Sequence, residues 1–419
     1  MSAARTASPA SSRMVVFTVL VAALGYFVDI FDLLVFSVVR KPSLIELGVT
    51  DAQQIEIGTS ILNWQMGGLL LGGILWGVLG DKRGRLSVLF GSILMYSLAN
   101  IANGFVHDVA LYRVLRFVAG VGLSGELGAA ITLVSEVLPK EKRGYGTAVV
   151  AGVGVAGAVV AGFVGELMHW RNAYFLAGGL GLALLALRVG VAESSMFASA
   201  VAHEGARRGD LALLVGSRER VWRYVRCILV GIPLWFLVGI LITFSPEFAK
   251  TLGVTGPITA GRAIAVCYGG LVFGDLGSGL VSQWLKSRKR ALFLFSGASL
   301  VVALVFLNAR GVSPVAFYAI IGALGVVAGY WAVFVTVAAE QFGTNLRATV
   351  ATTVPNFVRG AVIPITLLFR ALAGTPAEPR LGIVHAATVL AVALFAIGFW
   401  GIAVSEETFG KDLDFLERD

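Results

Sequence analysis

Residues 72–85, GGILWGVLGDKRGR, run from an apolar, glycine-rich stretch into a short basic turn that carries one aspartate. The turn lies between two stretches, 57–80 and 87–106, each apolar for about 20 residues, the length that crosses roughly 30 Å of hydrocarbon. Inside that slab backbone N–H and C=O groups find no water, so such stretches read as helices. The reading extends to the whole chain. Of its 419 residues 57% are hydrophobic and only 14% charged, against roughly 25% charged in a soluble domain. Most side chains must therefore face lipid or one another. The 52 glycines agree, because small residues let helices approach closely in lipid.

Working outward, spans are expected at 14–38, 57–80, 87–106, 109–137, 145–168, 171–191, 225–248, 259–284, 290–308, 313–340, 347–370 and 381–403. The expected class is thus all-α, a polytopic membrane protein with twelve transmembrane helices in two pseudo-symmetric six-helix bundles. Residues 1–191 form the first bundle, 192–224 a polar, basic cytoplasmic loop, and 225–419 the second bundle and a cytoplasmic tail. Lys and Arg concentrate in alternate connections: Lys82, Arg83, Arg85, Lys140, Lys142, Arg143, the 207–223 cluster and 286–290. The other set holds only Arg40, Lys41, Arg171, Lys250, Arg310, Arg370 and Arg380. That asymmetry places both termini in the cytoplasm of a cell (inner) membrane.

Placement of the basic residues in short turns explains the net charge of +8 and argues against nucleic acid as a partner. Cys227 and Cys267 fall in separate apolar segments and read as buried thiols. The histidines are scattered, without ligand spacing, so neither a metal nor a cofactor is expected. The first apolar run is too long for a cleaved leader. An enzyme would need a catalytic cluster or a folded soluble domain, and the middle loop is too short and polar to supply one.

Ionisable residues inside spans cost several kcal/mol each and therefore call for a role. Asp29 and Asp32 share a face of span one at i,i+3 spacing. At about 1.5 Å per residue, Asp32 and Arg116 of span four both sit roughly 10 Å from the outer end, so the two are expected to pair. Two neighbouring carboxylates do not both ionise cheaply in a low dielectric, which suits them to taking up and releasing a proton. Glu126 lies among small residues of span four. Arg359 lies roughly 18 Å into span eleven by the same rise. It is expected either to face Asp275 of span eight or to await an anionic substrate. Trp235, Phe236, Tyr330 and Trp331, and Trp64 with Gln65, are aromatic and polar candidates for the cavity. In the opening turn Gly80 permits a tight reversal, Asp81 suits a helix N-terminus, and Arg85 is placed to reach Glu136 as an inner gate.

The halves echo each other. KEKRGYGTAVVAGVG at 140–154 opens span five as NLRATVATTVPNFVRG at 345–360 opens span eleven. Such repeats suggest two bundles with a substrate site between them. GDKRGR at 80–85 resembles the signature loop of the major facilitator superfamily. RFVAGVG at 116–122 resembles its span-four motif, with Ala119 where glutamine is usual. GVGVAGAVVAG at 152–162 resembles loosely its span-five antiporter motif, with Ala158 in place of proline. RFVAGVGLSGELGAAITLVSEVLPKEKRG at 116–144 is similar to proton-coupled organic-acid, phosphate and metabolite symporters. That resemblance implies a monomeric secondary transporter of a small organic anion. Asp29, Asp32, Glu126 and Arg116 would handle protons, and Arg359, Asp275, Trp235, Tyr330 and Gln65 the substrate. The alternatives are a symporter of a sugar or other neutral metabolite, in which Arg359 would be fully paired with Asp275, and a drug or cation exporter.

Overall fold

The computed structural model describes residues 12–83, 85–124, 143–192, 214–375, 378, 380–411 and 417. Fifteen α-helices lie among them. In the N-terminal half these are α1 (Ser12–Glu46), α2 (Gln54–Arg83), α3 (Arg85–Asn103), α4 (Val109–Leu123), α5 (Arg143–Leu167) and α6 (Trp170–Ala192). The C-terminal half begins with α7 (Arg218–Phe236), α8 (Ser245–Leu252), α9 (Ala260–Trp284) and α10 (Arg288–Leu307). It continues with α11 (Pro314–Ala328), α12 (Trp331–Glu340), α13 (Thr344–Gly360), α14 (Val362–Ala373) and α15 (Gly382–Val404). Seven helical stretches among the described residues are long and apolar enough to cross a membrane. They are 19–46, 218–242, 260–284, 288–307, 314–340, 349–373 and 382–404. Helices α2, α3, α5 and α6 occupy the sequence of four other expected spans, and α4 the described part, to residue 124, of the span expected at 109–137.

Polar caps end these helices where the apolar runs stop. Asp108 accepts the Leu111 N–H at 2.8 Å and starts α4. Ser287 and Ser313 do the same for α10 and α11. Helix α9 turns Phe273, Leu276 and Leu280 outward at helical spacing, an apolar stripe suited to lipid. Its opposite side meets α11 so closely that a methyl on Gly274 would overlap the Val326 carbonyl oxygen. Helices α2 and α4 approach in the same way through Gly68 and Gly120.

Three expected spans are not regular. Between α7 and Thr243 the chain forms a π turn, Leu237–Ile242, in which the Thr243 N–H and hydroxyl both reach the Val238 carbonyl at 3.1 and 2.9 Å. Span ten breaks at Gly329–Tyr330, where Gly329 is wedged against Gly274. Span eleven breaks at Ala361. Helix α1 runs on to Glu46, past its expected end, so Arg40 is a helix residue and not a loop charge. Gly80 lies within α2 and only residue 84 separates α2 from α3.

Candidate functional site

Asp29, Asp32 and Arg116 are all buried. Asp32 and Arg116 meet through a residue that sequence reasoning missed. Asn100 of α3 donates from Nδ2 to Asp32 Oδ1 at 2.6 Å, and its Oδ1 accepts from Arg116 at 2.9 Å. The guanidinium stands 5.4 Å from the Tyr174 ring centroid of α6. The Tyr174 hydroxyl bonds that of Tyr112 at 2.6 Å, and Tyr112 lies 3.3 Å from the Ser43 hydroxyl of α1. A buried polar chain thus leaves α1 at Asp32 and returns to it at Ser43. Gln65 adds a separate tie, donating to the Leu33 carbonyl at 3.1 Å, which joins α2 to α1. No pattern at sequence level marks Asn100, Tyr112 or Tyr174, since each is an ordinary residue within an apolar run.

Arg359 is the most exceptional charge of the C-terminal half. It is 2% exposed. Its hydrogen bond to Asn356 Oδ1 is long at 3.4 Å, and its Nε has no partner among the described residues. Trp235 lies beneath it, 5.7 Å from guanidinium carbon to ring centroid, a cation–π arrangement. Asp275 forms no ion pair with it. That carboxylate instead accepts the Ala332 N–H at 3.1 Å and so caps α12 just after the break in span ten. Asn356, the second residue missed, also reaches across the halves to the Ser124 carbonyl at 3.5 Å. Tyr26, one turn before Asp29, places its hydroxyl within electrostatic range of Arg359, Asp29 and Asp275 and near Trp331. Asp29 of the N-terminal half and Arg359 of the C-terminal half thus both lie within electrostatic range of the Tyr26 hydroxyl. Tyr330 is fully buried beside Ser296 of α10, within its own half. Glu126 and Glu136, and the side chains of Asp81 and Arg85, lie outside the described residues.

At the end of the bundle that carries α8 the two halves are tied together. Arg40 is fully buried, bonds the Glu247 carboxylate at 2.7 Å and the Thr243 carbonyl at 3.3 Å, and covers the Phe244 ring at 4.3 Å. Around it Asp51 pairs with Lys250 at 3.2 Å, Glu56 with Arg370 at 2.7 Å, and Glu166 with Arg262 at 3.1 Å. The Asn63 amide oxygen accepts from the Thr366 hydroxyl at 2.7 Å. At the opposite end the pairs Arg288–Glu340 and Arg223–Glu417 stay within the C-terminal half.

A family model, that of the Major Facilitator Superfamily, matches residues 22–365. The chain belongs to this superfamily. It is a transporter, not an enzyme, and a multi-pass membrane protein. Among similar proteins is the niacin transporter NiaP of Acinetobacter baylyi, 32% identical over 38% of this chain and 36% of the relative. The gentisate transporter of Corynebacterium glutamicum is 24% identical over 78% of this chain and 74% of its own. The chain spans 34% and 53% of the length of two other curated relatives that it matches. The crystal structure of a D-xylose-proton symporter superposes with a TM-score of 0.67 at 16% identity, over 95% of this chain and 100% of that one. At that identity the likeness speaks for the fold alone. In the transporter the two free cysteines, Cys227 and Cys267, are buried as expected.

Proposed function

We propose that this transporter carries a small organic carboxylate together with protons by alternating access. The observation that carries the reading is Arg359, a guanidinium almost fully buried, with one long hydrogen bond and no ion pair among the described residues. Such a charge is costly in a membrane interior, and an anionic substrate would complete it. Capping of α12 by Asp275 favours the anion over a neutral metabolite, because the neutral reading requires an Arg359–Asp275 pair. The relatives named for niacin and gentisate, both carboxylates, point the same way.

In this scheme residues 1–191 and 225–419 are two six-helix bundles that rock about the central site, and the protein works as a monomer. The α8 end faces outward, both termini lie in the cytoplasm of an inner membrane, and the turn with Gly80, Asp81 and Arg85 works with Glu136 as the inner gate. Asp29 and Asp32, with Glu126 and Arg116, exchange the proton, while Arg359, Trp235 and Gln65 line the substrate path. Protonation removes a buried charge and shifts the population toward the conformer that re-orients. Proteoliposomes with an imposed proton gradient test this. Nicotinate, benzoate or gentisate is expected to accumulate, and Arg359→Ala is expected to abolish that uptake. Uptake of xylose with none of the carboxylates would refute the anion reading.

A further inference from the structure

We propose that Asn100 is a positioning residue that converts the protonation of Asp32 into a change of partner at Arg116. The proposal rests on the proton-coupled reading above and adds the element that transmits the signal. The amide orientation is dictated by chemistry. Arg116 has donors only, so the oxygen of Asn100 must face it, at 2.9 Å. The Asn100 NH2 group is thereby turned to Asp32, 2.6 Å away. All three side chains are fully buried, so bulk water does not substitute for a lost bond.

Two arrangements follow, and they exclude each other. With Asp32 charged, the bond from Asn100 is charge-assisted and both amide atoms are satisfied. A proton on Asp32 neutralises the acceptor. When the proton sits on Oδ1, the oxygen that Asn100 holds, donor meets donor and the amide flips to accept it; a proton on Oδ2 leaves the bond in place, so the switched state is the one protonated on Oδ1. The flip turns NH2 toward Arg116, which can only donate, and the Arg116 bond breaks. A proton on span one is thus felt on span four as the loss of a partner, in a switch of two discrete states. Beyond Arg116 the chain of Tyr174, Tyr112 and Ser43 leads toward the outer end of α1. There the Ser43 hydroxyl donates to the carbonyl of Arg40, whose side chain holds Glu247. Among the described residues, Tyr174 on α6 lies in electrostatic reach of both Asp32 and Arg116, Tyr112 on α4 in reach of Arg116, and Asp29 shares a face of α1 with Asp32, with Tyr26 beyond it in reach of Asp29. Helix α5 meets this part of α1 with Gly154 and Gly157.

A spin-label pair at Gln53→Cys and Thr251→Cys reports the separation of the halves at the α8 end. Both positions are exposed and outside the ion pairs. With Cys227 and Cys267 replaced by Ala, distances are measured in nanodiscs at acidic and alkaline pH. The expected result is a pH-dependent shift in the otherwise native protein. That shift is lost in Asn100→Leu and Asn100→Ser, and Asp32→Asn holds the acidic distribution at both pH values. The serine variant keeps a small polar group and serves where leucine does not fold. A native-like shift in a folded Asn100 variant would overturn the link and leave proton coupling standing. Absence of any shift in the parent would remove both, while the anion reading stands or falls separately on Arg359→Ala.

Discussion

Glu247→Ala is the substitution that most directly weighs the seal at the α8 end. It leaves Arg40 fully buried, with only the Thr243 carbonyl at 3.3 Å and the Phe244 ring as company. Removing one partner of a buried ion pair costs about 3–5 kcal/mol, because the other charge is stranded. The Glu247 side chain is itself 14% exposed and two contacts to Arg40 remain, so the lower bound of about 3 kcal/mol applies. At 1.4 kcal/mol per decade this shifts the closed-to-open ratio by roughly 100-fold. Arg40→Ala should cost less, since a lone Glu247 can reach water. Lys250→Ala removes a pair whose side chains are 77% and 67% exposed, and it should change the ratio less than about 5-fold. Ser37, buried beside Thr243 at 3.3 Å, supplies the assay. In a Ser37→Cys background without Cys227 and Cys267, a membrane-impermeant maleimide alkylates only molecules open at this end. The rate is expected to rise by roughly two decades for Glu247→Ala, in line with the stranded-charge cost. Equal rates for Glu247→Ala and Lys250→Ala would refute the argument that burial of Arg40 makes this pair the latch.

Two further outcomes follow from packing and charge. Gly120→Val should separate α2 from α4, because even a methyl there would overlap the Gln65 carbonyl oxygen. The measurement is loss of monodisperse protein on heating in detergent, with Gly179→Ala, whose new methyl has nothing within 4 Å, as the unaffected control. Glu407 lies in the segment after α15 and meets the start of α10. Burial disfavours its charge, but the Ser287 hydroxyl and the N–H groups of Phe409, Arg288 and Lys289 outweigh that and hold its carboxyl below the usual carboxylate range. A lowered value in the folded state means that this tie contributes fully above the ordinary carboxylate range and is lost as pH falls through the lowered one. Hydrogen-exchange protection at 405–411, taken relative to the intrinsic rate at each pH, should therefore fall at acid pH, and Glu407→Gln should show reduced protection at neutral pH already.

The fold was legible because membrane physics leaves few options. Apolar runs, glycine-rich contacts and basic turns each constrain the same answer, and the helices fall where those runs are. The breaks were not legible. Gly329 is one glycine among many, and only the packed Gly274 beside it makes the interruption of span ten necessary. The site was half legible. Asp29, Asp32, Arg116 and Arg359 announce themselves because a charge in oil needs a reason. Asn100 and Asn356 carry no charge, so nothing in one sequence separates them from amides that merely pack. Arg40 was misplaced for a related reason. It lies near the expected end of a span, where arginine commonly reaches water, and its burial depends on Glu247, more than 200 residues away.

The same helix carries both the proposed proton site and the latch, and this bears on how one could drive the other. Asp32 and Arg40 are eight positions apart on α1, about 12 Å along the axis at the ordinary helical rise. Asn100 and Arg116 grip α1 at Asp32, and Tyr112 grips it at Ser43, so α3, α4 and α6 hold that helix at two heights. A change of partner at the lower grip alters how α1 sits against the N-terminal half. Glu247, by contrast, is fixed to the C-terminal half through α8, which follows the π turn of span seven. The Arg40–Glu247 bond joins the continuous helix α1, which carries Pro42 just past Arg40, to a segment that follows a π turn. Small displacements of α1 are therefore opposed at the latch by a segment with a built-in irregularity, the kind of place where a helix bends. Opening of the α8 end should accordingly bend span seven at 237–242 more than it bends α1 between Asp32 and Arg40.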